Sequence, residues 1–75
     1  MGLTMKPREM IKFLEANGYY FLRAKGGSHH IYSNGIYTIP ISIHNNKDFG
    51  EDYLRMILRE TGLNKTDLLK YLNRL

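Results

Sequence analysis

The stretch KGGSHHIYSNGIYTIP, residues 25–40, holds the side chains best suited to chemistry. Two adjacent histidines, His29 and His30, follow a Gly-Gly-Ser turn and precede an aromatic segment. Imidazole is the side chain whose ordinary titration range lies closest to neutral pH, so it suits proton transfer. Adjacent strand residues point to opposite faces, so the two histidines have different surroundings and different work. One faces a core and the other faces outward. Period-2 counting leaves the assignment open, because a bulge near Gly27 would exchange them.

Other site chemistries fit poorly. A zinc site needs three or four ligands. His44 is the only further imidazole, there is no cysteine, and His29 and His30 diverge, so no metal site and no cofactor is expected. Neither Ser28 nor Ser33 sits on the strand-to-helix elbow that a nucleophilic serine uses. The KGGS segment lacks the length and the following helix of a phosphate-binding P-loop.

Cleavage of RNA needs less apparatus, because the substrate carries its own nucleophile, the 2′-hydroxyl. The protein need only move a proton, hold the phosphate and stabilise developing charge. Arg23 and Lys25 lie close before the turn and are candidate phosphate ligands. Gly26 and Gly27 let backbone approach a phosphate closely. Ser28 fits a role in positioning the loop. Tyr32 and Tyr37 offer stacking surfaces for unpaired bases. The plainer readings are core packing for the tyrosines and a solvated strand face for the two cations.

Composition agrees with an anionic partner. The chain has 75 residues, with 11 Lys plus Arg against 7 Asp plus Glu, a net charge of +4. Such a basic balance favours nucleic acid or an acidic protein. One domain, residues 1–75, is expected. A domain of this size buries roughly 60% of its unfolded surface, so a shallow surface site is expected rather than a deep cavity. No apolar run approaches the ~20 residues of a membrane span, and no stretch reads as a signal peptide. The absence of cysteine fits a reducing cytoplasm.

The elements that must position these residues follow from pattern. Residues 7–17 read as a helix, with Pro7 at its first position, Glu9 in its first turn, an apolar stripe of Met10, Phe13 and Leu14, and Gly18 as its stop. Residues 19–25, 28–33 and 36–43 read as three strands of an antiparallel meander. Gly26-Gly27 turns between the first two, and Asn34-Gly35 predicts a type I′ hairpin between the last two. Pro40 cannot donate to a ladder, so its strand belongs at an edge. Residues 51–61 read as a second helix with Tyr53, Leu54, Ile57 and Leu58 apolar. Asn64 caps a short last helix, with Asp67 at its third position and Leu68, Leu69, Leu72 and Leu75 on its apolar side. The class is therefore α+β, with helices on one face of a three-stranded sheet and the other face open. The last two helices also have the outline of a helix-turn-helix, against the plainer reading that they seal the core.

In order along the chain, LEANGY, FLR, GSHHIY, TIP, IHNNK and YLRMILRETGL resemble the HicA toxins of bacterial and archaeal toxin–antitoxin pairs. The resemblance covers roughly residues 6–64. It implies a double-stranded-RNA-binding-like fold, α-β-β-β-α, and ribonuclease activity on messenger RNA. It also implies a catalytic role for the histidine of Gly-Ser-His, which is His29, and a co-encoded HicB antitoxin that covers the site. The helix after Asn64 lies beyond that minimal fold. The resulting expectation is a metal-independent endoribonuclease toxin with His29 as general base or acid. Arg23, Lys25, Gly26, Gly27, Ser28 and Tyr32 form its RNA- and phosphate-binding set. The alternatives are a non-catalytic RNA-binding module of the same fold and, less well supported, a DNA-binding helix-turn-helix protein.

Overall fold

The computed structural model describes residues 4–43 and 47–73. Elements follow in the order α1 (Pro7–Ala16), β1 (Tyr20–Lys25), β2 (His29–Ser33), β3 (Thr38–Ser42), α2 (Glu51–Thr61) and α3 (Lys65–Tyr71). The strands form one antiparallel sheet in the order β1-β2-β3. This is the expected α+β arrangement.

Helix α1 starts where the sequence marks it. Pro7 occupies its first turn, and the Lys6 amide donates to Glu9 Oε1 at 3.1 Å. Its buried stripe is Pro7, Met10, Phe13 and Leu14. It closes on Asn17, whose Nδ2 donates to the Phe13 carbonyl at 2.8 Å, and Gly18 leaves the helix at φ +90°.

The core lies on one face of the sheet. Tyr32, Ile39 and Ile41 meet Met10, Phe13 and Leu14 from α1, Leu54, Ile57 and Leu58 from α2, and Leu68 from α3. A two-residue bridge adds to this. Met5 and Phe49 exchange both backbone hydrogen bonds, at 3.2 and 2.8 Å, and both side chains are buried. The sequence pattern gave no sign of it, because a single bridge has no periodicity.

The β2–β3 connection differs from the expected type I′ hairpin. That turn needs φ > 0 at both Asn34 and Gly35, and among the described residues Gly35 (φ +92°) has it while Asn34 does not. Instead Asn34 Oδ1 accepts from the amides of Ile36 (2.9 Å) and Tyr37 (2.8 Å). An Asn side chain that bonds ahead along its own backbone takes over the turn-forming role of a carbonyl. The connection is longer for it, and β3 begins at Thr38 rather than Ile36.

The two sheet edges are unlike. On β3 the Ser42 amide points away from β2 and donates to the Tyr53 hydroxyl of α2 at 2.8 Å. Pro40, two residues earlier and so on the same side, has no N–H to offer. That edge is closed. Edge β1 has one neighbour, β2, and all six of its residues are exposed.

Helices α2 and α3 seal the core rather than project from it. Asn64 caps α3 by accepting from the Asp67 amide at 2.8 Å, and Leu68 is fully buried. The helix spans seven residues and ends at Tyr71, with Asn73 at φ +58°. It is shorter than the sequence pattern suggested. Leu75 and His44 lie outside the described residues.

Candidate functional site

The faces of the sheet sort the histidines. His30 pairs with Ile41 and Tyr32 with Ile39, and both partners belong to the core. Phe21 packs edge-on against both His30 (5.5 Å between ring centroids) and Tyr32 (5.8 Å). His30 therefore stands on the helix side, half-buried. The pleat places His29, Ile31 and Ser33 on the opposite face, on the side away from the helix-packed core; His29 is exposed there, while Ile31 and Ser33 are buried.

A bulge brings the cations to the same face. The β1–β2 register runs Tyr20–Ser33, Phe21–Tyr32, Arg23–Ile31, Ala24–His30 and Lys25–His29, with one residue, Leu22, inserted between Phe21 and Arg23. Simple alternation from Phe21 would send Arg23 and Lys25 to the helix side. The extra residue resets the count, so Arg23 shares the face of Ile31, and Lys25 the face of His29. Re-aiming a side chain is what a bulge does. The bare face thus presents an imidazole with two cations on the neighbouring strand.

The turn joining these strands is built from left-handed backbone. Gly26 and Gly27 have φ +64° and +74°. The Ser28 amide donates to the Gly26 carbonyl at 2.7 Å, closing a γ-turn about Gly27. That conformation is strained, and only glycine adopts it easily. A Cβ at either position would meet no atom within 4 Å, so the space above the turn is open. The Ser28 carbonyl accepts from the Ile43 amide at 2.8 Å, which ties the turn to the end of β3. Ser28 thus helps to hold the loop.

Support reaches His29 from α2 as well. Its partner on β3 is Ser42, the residue whose amide Tyr53 holds. Tyr53 itself stacks near Phe49, with ring centroids 4.7 Å apart. Helical periodicity marks Tyr53 only as an apolar position, because its hydroxyl contact is made to a different element, β3.

One expected member of the RNA-binding set is corrected. Tyr32 is 5% exposed and packs in the core on the face away from His29. It offers no stacking surface. Burial pushes its hydroxyl above the ordinary 10.0, and Glu15 adds to the rise. Tyr19, also in the core, is raised by burial and then by Tyr37. The exposed aromatic on the bare face is Tyr20, 49% exposed and opposite Ser33. Tyr37 is exposed at the hairpin end, away from the glycine turn.

The site is a surface. Concavities lined by Ser42, Lys47, Asp48, Phe49, Gly50 and Tyr53, and by Lys6, Pro7, Arg8, Ile11 and Ile43, do not include His29. Among the described residues no three His, Cys, Asp or Glu side chains gather. No described helix is long and apolar enough to cross a membrane.

A meander backed on one face by helices, with an imidazole and two cations on the other, defines a small α+β protein with a basic sheet face. The chain belongs to the HicA toxin family: the family described as HicA toxin of bacterial toxin-antitoxin matches residues 7–63. Comparison with curated proteins and with solved structures gives no match. The match ends just before α3, as the sequence resemblance did.

Proposed function

We propose that this toxin is a metal-independent endoribonuclease that cleaves messenger RNA with His29. The observation that carries the reading is the shared face of His29, Arg23 and Lys25, which the bulge at Leu22 creates. Arg23 and Lys25 bind the scissile phosphate and its neighbour and offset the charge that develops on the phosphoryl oxygens. The γ-turn at Gly27 leaves room for backbone and phosphate to approach.

His29 acts as general base or general acid. As base it removes the 2′-hydroxyl proton. The 2′-oxygen then attacks phosphorus, the bond to the 5′-oxygen breaks, and the leaving oxygen takes a proton. The products are a 2′,3′-cyclic phosphate and a 5′-hydroxyl. Such proton transfer is typically worth ~10²–10⁴-fold in rate. Unpaired RNA is the substrate form that suits an open sheet, with Tyr20 available for stacking a base.

A toxin of this kind works in the cytoplasm, where messenger RNA is, and needs an inhibitor. A HicB-type antitoxin covering the His29 face is that partner.

The experiment is incubation of purified protein with single-stranded RNA, with and without EDTA, and analysis of the product ends. Cleavage that survives EDTA and leaves 2′,3′-cyclic phosphate ends is expected. Cleavage lost on chelation and restored by a divalent ion would defeat the mechanism. Binding without cleavage would make the domain an RNA-binding module.

A further inference from the structure

Edge β1 carries a feature that RNA cleavage does not use. Exposed sheet edges offer unpaired backbone groups and are usually blunted. Here β3 is blunted by Pro40 and by the Ser42–Tyr53 bond, whereas β1 carries the bulge at Leu22 and the cations Arg23 and Lys25, which deter a like-charged strand but leave its outer backbone groups unpaired. Among the described residues, no backbone hydrogen bond joins Tyr20–Lys25 to any element besides β2.

The ladder says which groups of β1 face outward. Ser42 points away from β2, so Thr38, Pro40 and Ser42 are the outward residues of β3, and Ile39 and Ile41 bond to β2. Their partners Tyr32 and His30 therefore direct their backbone groups to β3. His29 and Ile31 direct theirs to β1, where Lys25 and Arg23 receive them. That leaves Phe21 and Ala24, the partners of Tyr32 and His30, with N–H and C=O pointing to solvent. Phe21 and Ala24 lie three residues apart on β1, and the insertion at Leu22 sets them opposite Tyr32 and His30, which lie two apart.

We propose that an extended, acidic segment of the antitoxin adds to β1 as a fourth strand, hydrogen-bonded at Phe21 and Ala24. This rests on the toxin–antitoxin partnership and assigns its mode. Charge identifies the occupant. Side chains of the new strand on the bare side lie beside Arg23 and Lys25, so carboxylates belong there. Side chains on the helix side lie against Phe21, 50% exposed, and Ala24, so apolar residues belong there. The segment therefore alternates acidic and apolar positions, because successive side chains of an added strand face opposite sides of the sheet. A second copy of this chain is a poor occupant, because it would bring two Arg- and Lys-bearing strands together. Bound carboxylates on Arg23 and Lys25 also exclude phosphate from the His29 face.

The test uses Ala24→Pro. Proline at this outward position deletes the docking N–H and leaves the β1–β2 bonds intact, as edge strands tolerate. Affinity for the purified co-encoded antitoxin is measured by titration, with folding checked by circular dichroism. Wild-type binding comes first: no binding there overturns the partnership itself. Given wild-type binding, Ala24→Pro is expected to weaken it by about tenfold or more, the scale of a lost interfacial hydrogen bond plus local misfit. Residue-resolved amide exchange on the wild-type complex guards against a misfolded variant. The Phe21 and Ala24 amides should slow on binding, while Arg23 and Lys25, already bonded to β2, change less. Unchanged affinity in a folded Ala24→Pro, or exchange at Phe21 and Ala24 equal in free toxin and complex, overturns the strand-addition mode. Slowing that depends on toxin concentration without antitoxin would assign the edge to a second copy instead.

Discussion

Lys25 stands directly across the β1–β2 ladder from His29, on the sheet face that no helix covers. Arg23, two residues earlier, shares that face opposite Ile31. A cation beside an imidazole is the arrangement that the proposed phosphate chemistry needs.

Replacing Arg23 and Lys25 by alanine should make RNA binding less salt-dependent. Each phosphate contact to a single strand contributes about −0.7 to the slope of log K against log salt. Loss of both should flatten the slope by roughly 1.4. Binding measured across a salt series checks this, and an unchanged slope would place the phosphates elsewhere.

The glycine turn should resist substitution for reasons of backbone alone. Alanine at Gly26 or Gly27 meets no neighbour, but must adopt a left-handed conformation costing about 1–2 kcal/mol. Urea denaturation of each variant should show that loss. A variant as stable as wild type would mean that the turn relaxes to another form.

Tyr53→Phe removes the hydroxyl that holds the Ser42 amide. The expected cost is about 1 kcal/mol in stability, with faster exchange of the Ser42 amide. Unaltered exchange there would show that water replaces the hydroxyl without loss of order.

Much of this arrangement was legible beforehand, and the exceptions have physical causes. Pro7, Gly18, Pro40 and Asn64 act through local backbone chemistry, and each does what its residue type dictates. Face assignment on β1 was not legible. Counting by two along YFLRAK puts Arg23 with Phe21, and nothing in those six residues announces the insertion at Leu22. The division between His29 and His30 needed the register with Ile41 and Ser42, residues remote in sequence. Tyr32 read as a surface aromatic because strand alternation alone does not say which face the helices cover. The Asn34 turn failed for the opposite reason: the signal was local, but the Asn side chain formed a competing turn.

Stability should fall at alkaline pH, in part through Tyr32 and Tyr19. Both hydroxyls are raised above 10.0 by burial in the folded state. A raised folded value means that the neutral form is favoured by folding. That stability is present in full below pH about 10 and is lost as pH rises through the folded value. Denaturation of wild type and Tyr32→Phe from neutral pH to above pH 10 checks the sign. Wild type should lose more stability than the variant across that range. An equal loss in both would remove Tyr32 from the titration.

The most direct measurement compares RNA cleavage by His29→Ala and His30→Ala, each with its folding stability. His29→Ala should lower the cleavage rate by about 10²–10⁴-fold while leaving stability near wild type, because its side chain lies on the bare face. His30→Ala should retain most activity and lose about 1 kcal/mol of stability, since it gives up its edge contact with Phe21. Full activity in a folded His29→Ala, or abolished activity in His30→Ala alone, would contradict the assignment of His29 as the catalytic histidine.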